Sequence, residues 1–247
     1  MTRTDRPTLA FDQFTVLTFD VVGTLIDFEA GLTAGVAAIA TRSGVGVPPE
    51  QALALYGAAR RDPEAGPFPD DVGRAYGAVA RHFGLPDTEV EQGEMVEAVA
   101  SAPPFDDSVA ALRRLAARYR LVAMTNAQRW AFDRYDRALG NPFWLGFTAT
   151  ETGTEKPDPA YFEHVLARLA ADGVRKEQVL HVAQSQYHDI GVAHDLGLTT
   201  CWVERRHGRP GYGGTIAPGQ FTAPDLHVLS LAELADAVDR AVAARDV

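Results

Sequence analysis

An aspartate that closes an apolar run and opens a tight turn is well placed for nucleophilic chemistry. Asp20 does this in Phe19-Asp20-Val21-Val22-Gly23-Thr24-Leu25, after the apolar Phe14, Val16 and Leu17. Open α/β sheets collect their ligands at such strand ends. Two positions on, Val22 has no titratable proton. A carboxylate nucleophile without a neighbouring acid suits a leaving group that departs unprotonated. Three further segments carry polar groups: Thr125-Asn126, Glu155-Lys156-Pro157-Asp158-Pro159, and Gln184-Ser185-Gln186-Tyr187-His188-Asp189.

The elements that must position these groups follow from hydropathy patterning. Short apolar runs of the kind found in buried parallel sheets fall at 15–19, 121–125, 179–183, 199–203 and 226–229. Helical patterns at 107–118, 128–139, 159–171, 188–196 and 231–243 separate the later ones. The last opens on Ser230-Leu231-Ala232-Glu233, which reads as a capping box. Alternation of this type predicts an α/β fold, a doubly wound parallel-sheet core. Asp20, Thr125-Asn126, Lys156 and Asp189 then converge on one edge of the sheet. About a hundred residues separate the first strand from the second, too many for one crossover. Helical patterns at 31–43, 50–61, 70–83 and 90–99, broken by Pro48-Pro49, Pro63–Pro69 and Gly84–Pro86, fill that gap. Residues 28–102 are therefore expected to form a helical cap inserted after the first strand, with 1–27 and 103–247 as the core. Lids of this type keep water off a reacting centre.

Composition narrows the function. The chain has 247 residues, 46% hydrophobic and 23% charged, and a net charge of −10. That charge argues against nucleic acid or an anionic membrane as partner. No apolar run reaches the ~18 residues of a membrane span. The opening Met1-Thr2-Arg3-Thr4-Asp5-Arg6-Pro7 lacks a signal peptide's pattern, so a cytoplasmic location is expected. The lone cysteine, Cys201, sits in an apolar run and reads as core filler, without disulfide or thiolate zinc site.

The ordered motifs at Asp20, Thr24, Thr125, Lys156 and Asp189 resemble those of the haloacid dehalogenase-like (HAD) superfamily over nearly the whole chain. Within it the chain looks most like type II dehalogenases acting on L-2-haloacids, through the non-acidic Val22, the Thr125-Asn126 pair, and Thr200-Cys201-Trp202-Val203 followed by Arg205. The resemblance implies that Asp20 attacks carbon and forms an ester that water hydrolyses. Lys156 would keep Asp20 ionised. Asp189 would hold Lys156 or orient the water, and Thr24, Thr125 and Asn126 would bind the carboxylate or an oxyanion. The family's phosphatases resemble this chain but use Asp-x-Asp and a Gly-Asp pair for Mg²⁺; here Val22 and Ala183-Gln184 stand instead. Loss of a general acid costs about 10²–10⁴-fold. The expected enzyme is thus a hydrolase with no metal and no cofactor, acting on a small carboxylic acid and water.

Several positions depart from that pattern. The family's cap arginine follows a Leu-Trp pair; Leu55-Tyr56 matches the pair, and Gly57 falls on the arginine. Arg60, one turn on, is the expected substitute, with Arg61 behind it. The family's Ser and Asn of the fourth motif are Gln184 and Gln186, and its tyrosine is Phe162, with Tyr161 shifted by one. Related families extend the alternatives: an azetidine-2-carboxylate hydrolase, with His188 or Tyr187 as proton donor; a phosphatase; or a non-catalytic binder of a small acid. The resemblance also makes a homodimer possible without locating an interface.

Bland roles accompany the sharp ones. His181 reads as a satisfied core histidine and Asp189 as a possible helix cap. Arg205-Arg206-His207-Gly208-Arg209 reads as a solvated loop, and Asp236, Asp239 and Asp246 as solvated helix surface. Trp130, Tyr135, Phe143, Trp144 and Phe147 read as helix and loop, with Trp144 a candidate pocket wall.

Overall fold

A computed structural model describes residues 9–244. Met1–Pro7, on which the leader expectation rests, and Asp246 lie outside the described residues.

Runs of apolar residues with both faces covered form six parallel strands: β1 (Val16–Asp20), β2 (Arg120–Thr125), β3 (Leu145–Thr148), β4 (Val179–Ala183), β5 (Thr199–Val203) and β6 (Leu226–Val228). Their order across the sheet is β3-β2-β1-β4-β5-β6. The chain winds outward one way from β1, then returns beside it and winds outward the other way. β1 pairs with β2 from Val16 opposite Arg120 to Asp20 opposite Met124, and with β4 from Val16 opposite Val179 to Phe19 opposite Val182. The winding reverses between β1 and β4, which is where such sheets bind ligands.

The described residues also form ten α-helices: α1 (Phe28–Arg42), α2 (Pro49–Ala59), α3 (Val72–Phe83), α4 (Glu89–Ala100), α5 (Ser108–Ala116), α6 (Arg129–Ala138), α7 (Ala149–Thr152), α8 (Pro159–Ala171), α9 (Gly191–Asp195) and α10 (Leu231–Ala243). Period-two alternation sorts strand side chains between two cores. Leu17, Phe19, Leu121 and Ala123 meet α5, α6 and α10 on one face. Val16, Val122 and Met124 meet Tyr161, Phe162, Val165 and Leu169 of α8 on the other. Helices α1–α4 follow β1 and pack on one another. Among the described residues no helix is long and apolar enough to cross a membrane.

Helix starts carry their capping chemistry. Asp27 accepts from Ala30 N at 3.0 Å, and Asp158 from Ala160 N at 2.9 Å ahead of Pro159. Thr88 and Glu91 make a full capping box on α4. The expected box at Ser230 is realised by halves. Ser230 Oγ accepts from Glu233 N at 3.1 Å, but the Glu233 carboxylate takes Leu229 N at 2.8 Å, one residue further out.

Two expectations need correcting. Residues 145–148 are strand rather than loop. This edge strand is short and interrupted by Gly146, because a Cβ there would lie 2.5 Å from the Phe132 ring of α6. The single helix expected at 188–196 is a wide turn at Gln186–Ile190, closed by Ile190 N donating to Ser185 O at 3.0 Å, followed by α9. Its cap is Ser185, which accepts from His188 N; Asp189 lies inside the turn and caps nothing.

Candidate active site

Asp20 is the last residue of β1, and the chain turns immediately after it. Leu25 N and Ile26 N both donate to Val21 O, at 2.8 and 3.0 Å, and Gly23 takes φ +91°, open to glycine at little cost. The turn brings Thr24 back under Asp20. Thr24 Oγ1 donates to Asp20 Oδ2 at 2.6 Å and accepts from Gln184 N at 2.9 Å, tying the ends of β1 and β4 together. Thr24 is fully buried and off the cleft surface, so it positions Asp20 rather than touching a ligand.

Lys156 approaches from the loop between α7 and α8. Its ammonium donates to Asp20 Oδ1 at 2.8 Å, Asp189 Oδ1 at 2.6 Å and Met124 O at 2.9 Å, which uses all three hydrogens. The lysine is 3% exposed, Asp20 6% and Asp189 0%. Asp189 Oδ1 also lies 3.2 Å from His181 Nε2, while His181 Nδ1 meets Thr18 Oγ1 at 2.9 Å. A carboxylate only accepts, so His181 Nε2 donates to Asp189. His181 is core, as expected, and it also fixes Asp189.

The three charges shift one another. Burial raises the Asp20 carboxyl above its usual range; Lys156 opposes this and Asp189 adds to it. Burial also acts to raise Asp189, but Lys156 and His181 outweigh it and hold Asp189 down to about 2. Burial would lower Lys156, yet the two carboxylates hold the ammonium above its ordinary value. Asp189 is thus a fixed anion, and Asp20 is the carboxylate whose charge is least stabilised.

These residues floor a cleft of about 320 Å³. Phe28, Tyr56 and Phe68 form much of its apolar wall. Thr125, Gln184 and His188 also line it, the last half-buried. Thr125 Oγ1 accepts from Ala127 N at 3.2 Å. Asn126 reaches the cleft edge, but its carboxamide is engaged: Oδ1 accepts from Lys156 N at 2.8 Å and Nδ2 donates to Lys156 O at 2.7 Å.

Other expected site residues fall elsewhere. Arg60 lines the cleft, but its Nη1 donates to the Asp71 carboxylate and to Gly66 O, so it is an ion-paired wall rather than a free clamp. Arg61 is exposed and outside the lining. Gln186 turns away, its Oε1 accepting from Thr222 N at 3.0 Å, because on the wide turn it takes the opposite side from Gln184. Tyr161 and Phe162 are fully buried under the site. Trp144 stands at the start of β3, at the far edge of the sheet, under the Arg120 guanidinium. Cys201 is buried, as expected.

The arginine-rich loop is solvated only at His207, Gly208 and Arg209; Arg205 and Arg206 are engaged. Arg205 donates to Thr24 O at 2.9 Å and to both Asp107 oxygens at 2.8 and 3.0 Å. Arg206 pairs with Glu29 of α1 and with Glu50 of α2, the latter at 2.6 Å. It thereby fastens the segment after β5 onto the helices above, and Gly214, Thr215 and Ile216 of this strap line the cleft. Gly57, where the family's arginine would stand, packs on the strap: a Cβ there would lie 3.4 Å from Gly213 O and 3.5 Å from Gly214 O. Sequence reasoning missed the strap. Its one signal was the run Gly211-Tyr212-Gly213-Gly214, whose Gly211 and Gly213 adopt positive φ.

The donor set does not suit Mg²⁺. That ion needs six oxygens in a near-octahedral shell. Here Asp20 oxygens are bonded to Lys156 and Thr24, one Asp189 oxygen to Lys156 and His181, and position 184 is a neutral Gln. Among the described residues no group of three or more His, Cys, Asp or Glu could hold a metal ion.

Comparisons with known proteins point one way. No curated protein matches the chain. Among solved structures, the L-2-haloacid dehalogenase PA0810 is 25% identical and superposes with a TM-score of 0.71, over 92% of this chain and 99% of that one. The L-2-haloacid dehalogenase from Xanthobacter autotrophicus, with chloropropionic acid covalently bound, is 20% identical, with a TM-score of 0.70 over 92% and 98%. YfnB from Bacillus subtilis, a magnesium-bound chain ascribed to the HAD hydrolases, is 19% identical, with a TM-score of 0.73 over 92% and 99%. The last two show the fold. The family model for haloacid dehalogenase-like hydrolases matches residues 14–197, well over half the chain, and with the Asp20–Lys156–Asp189 floor at the β1/β4 reversal the chain belongs to that family.

Proposed function

We propose that this hydrolase displaces halide from C2 of a small carboxylic acid through an ester on Asp20, with residues 28–102 acting as its lid. One observation carries the reading: a buried carboxylate facing a cleft, with an ammonium at 2.8 Å and valine two residues on. An Asp20 oxygen attacks C2, the new C–O bond forming as the carbon–halogen bond breaks and its electron pair leaves with the halide. Halide needs no proton, which is why an apolar residue at 22 is compatible with turnover. Lys156 holds Asp20 in its ionised form and aims it. Water then adds to the Asp20 carbonyl carbon and the ester C–O bond breaks; one water proton goes to the departing 2-hydroxy acid, the other to solvent, and Asp20 is left as the carboxylate.

Support comes from neighbours as well. The Xanthobacter relative carries chloropropionic acid covalently bound, and in this chain a carboxylate of the kind that forms such an ester ends β1. A phosphatase would need a proton donor near position 22 and a magnesium shell, and both are wanting. A mere binder would have no need to bury two carboxylates and a lysine, an arrangement whose desolvation is costly.

The test is a single turnover of (S)-2-chloropropionate in H₂¹⁸O, followed by mass analysis of the Asp20 peptide. Label in the Asp20 carboxylate and released chloride are expected. Chloride release with label only in the product would sink the ester route.

A further inference from the structure

Chemistry of this type needs a partner for the substrate's carboxylate, and the cleft is short of free cations. Arg60 is bound to Asp71, Lys156 has no hydrogen to spare, and position 57 is glycine packed on the strap. The Asn126 amide is engaged with the Lys156 backbone.

Of the uncommitted nitrogens in the wall, which include the Gln184 carboxamide, the one on His188 is held in orientation by its neighbours. His188 lies beside Asp189 on the wide turn after β4 and forms part of the cleft surface. Its Nδ1 lies 3.1 Å from Ser185 Oγ. That hydroxyl already accepts from His188 N at 2.9 Å, and Ser185 is buried, so its own hydrogen goes to Nδ1. With Nδ1 accepting, the neutral ring carries its proton on Nε2, which has no partner among the described residues. Tyr187 packs edge-on against the ring, centroids 4.8 Å apart, and steadies its orientation.

We infer that the His188 Nε2–H is the hydrogen-bond donor that receives the substrate carboxylate, in place of the arginine missing at position 57; this rests on the haloacid reading above. Burial, helped by Lys156 and Arg60 and opposed by Asp189, pushes the imidazole down to about 4. At neutral pH the ring is therefore an uncharged donor rather than a cation. It recognises a carboxylate without adding charge beside the Lys156 triad. Ser185 is the positioning residue that sets its tautomer.

The experiment measures calorimetric binding of propionate, an unreactive probe, and turnover of (S)-2-chloropropionate by wild type, His188→Ala and His188→Gln. Glutamine keeps an N–H donor but cannot act as a base. Loss of one hydrogen bond to a charged group predicts roughly ten- to a hundredfold weaker propionate binding and a matching rise in KM for His188→Ala. His188→Gln should stay within roughly threefold of wild type, and the effect should shrink for 2-chloropropionamide, which lacks the charge. Near-equal binding by all three proteins, or His188→Gln failing like His188→Ala, would overturn the assignment. Propionate binding that depends on His188 without chloride release would uphold the donor and sink the dehalogenase reading. Chloride release indifferent to His188 would do the reverse, and a wild type that neither binds propionate nor releases chloride would sink both.

Discussion

The carboxamide of Asn126 grips Lys156 by its main chain, accepting from its N–H at 2.8 Å and donating to its C=O at 2.7 Å. This clamp spans 30 residues and fixes where the lysine stem starts, so the ammonium arrives between two carboxylates. Asn126→Ala removes both bonds. Each net bond is worth about 1 kcal/mol, so the variant should lose roughly 2 kcal/mol of stability. Urea unfolding and kcat would check this, with kcat expected to fall at least about tenfold because misplacement of a charged group is costly.

Lys156→Met leaves Asp20 and Asp189 buried with no cation. Removing one partner of a buried ion pair costs about 3–5 kcal/mol, and chloride release should become undetectable at neutral pH. Lys156→Arg should not rescue it. A planar guanidinium cannot direct three hydrogens at Asp20, Asp189 and Met124 O from one atom.

Two carboxylates of the site respond to acid with opposite signs. Asp20 is raised in the folded state, so chloride release should fail on the acid side above the usual carboxylate value of 3.8, as Asp20 takes up a proton. Asp189 is held at about 2, so it stabilises the fold above its unfolded value. That contribution, about 2 kcal/mol, is lost as pH falls from about 4 to about 2. Asp189→Asn should flatten stability in that window, measured by urea melts at stepped pH. Asp20→Asn should abolish ester formation without lowering stability at pH 7.

Restoring an arginine at Gly57 should harm rather than help. Gly213 O and Gly214 O of the strap lie within 3.5 Å of a Cβ at that position, so a longer side chain must displace the strap. Overpacking of this kind costs about 1–3 kcal/mol. Gly57→Ala should be tolerated and Gly57→Arg should melt earlier, with a higher KM for (S)-2-chloropropionate.

Chelation should leave turnover unchanged. The oxygens of Asp20 and one oxygen of Asp189 are taken by protein donors, and the reaction as proposed has no step for a metal. Full activity after EDTA treatment is expected; a loss that Mg²⁺ reverses would contradict it.

Much of the site was legible in sequence because its members end strands or sit where a loop enters a helix. Asp20, Thr125 and Lys156 occupy such places, and apolar runs locate them without reference to packing. β3 was not legible: Gly146, needed to clear the Phe132 ring, breaks a four-residue strand. Nor was the split between Gln184 and Gln186, since a wide turn changes which side chains share a face. Arg205 and Arg206 read as solvated because their partners, Asp107, Glu29 and Glu50, are about a hundred residues or more away in sequence. Local pattern carries no information about pairs of that range.

The charged floor draws on three distant stretches of chain. Lys156 meets Asp20 across 136 positions and Asp189 across 33. No early folding fragment holds all three, and any partial assembly would strand an ion in an apolar interior. Closure of β1 against β4 must therefore come with arrival of the lysine, so an intact charged floor marks a completely assembled core.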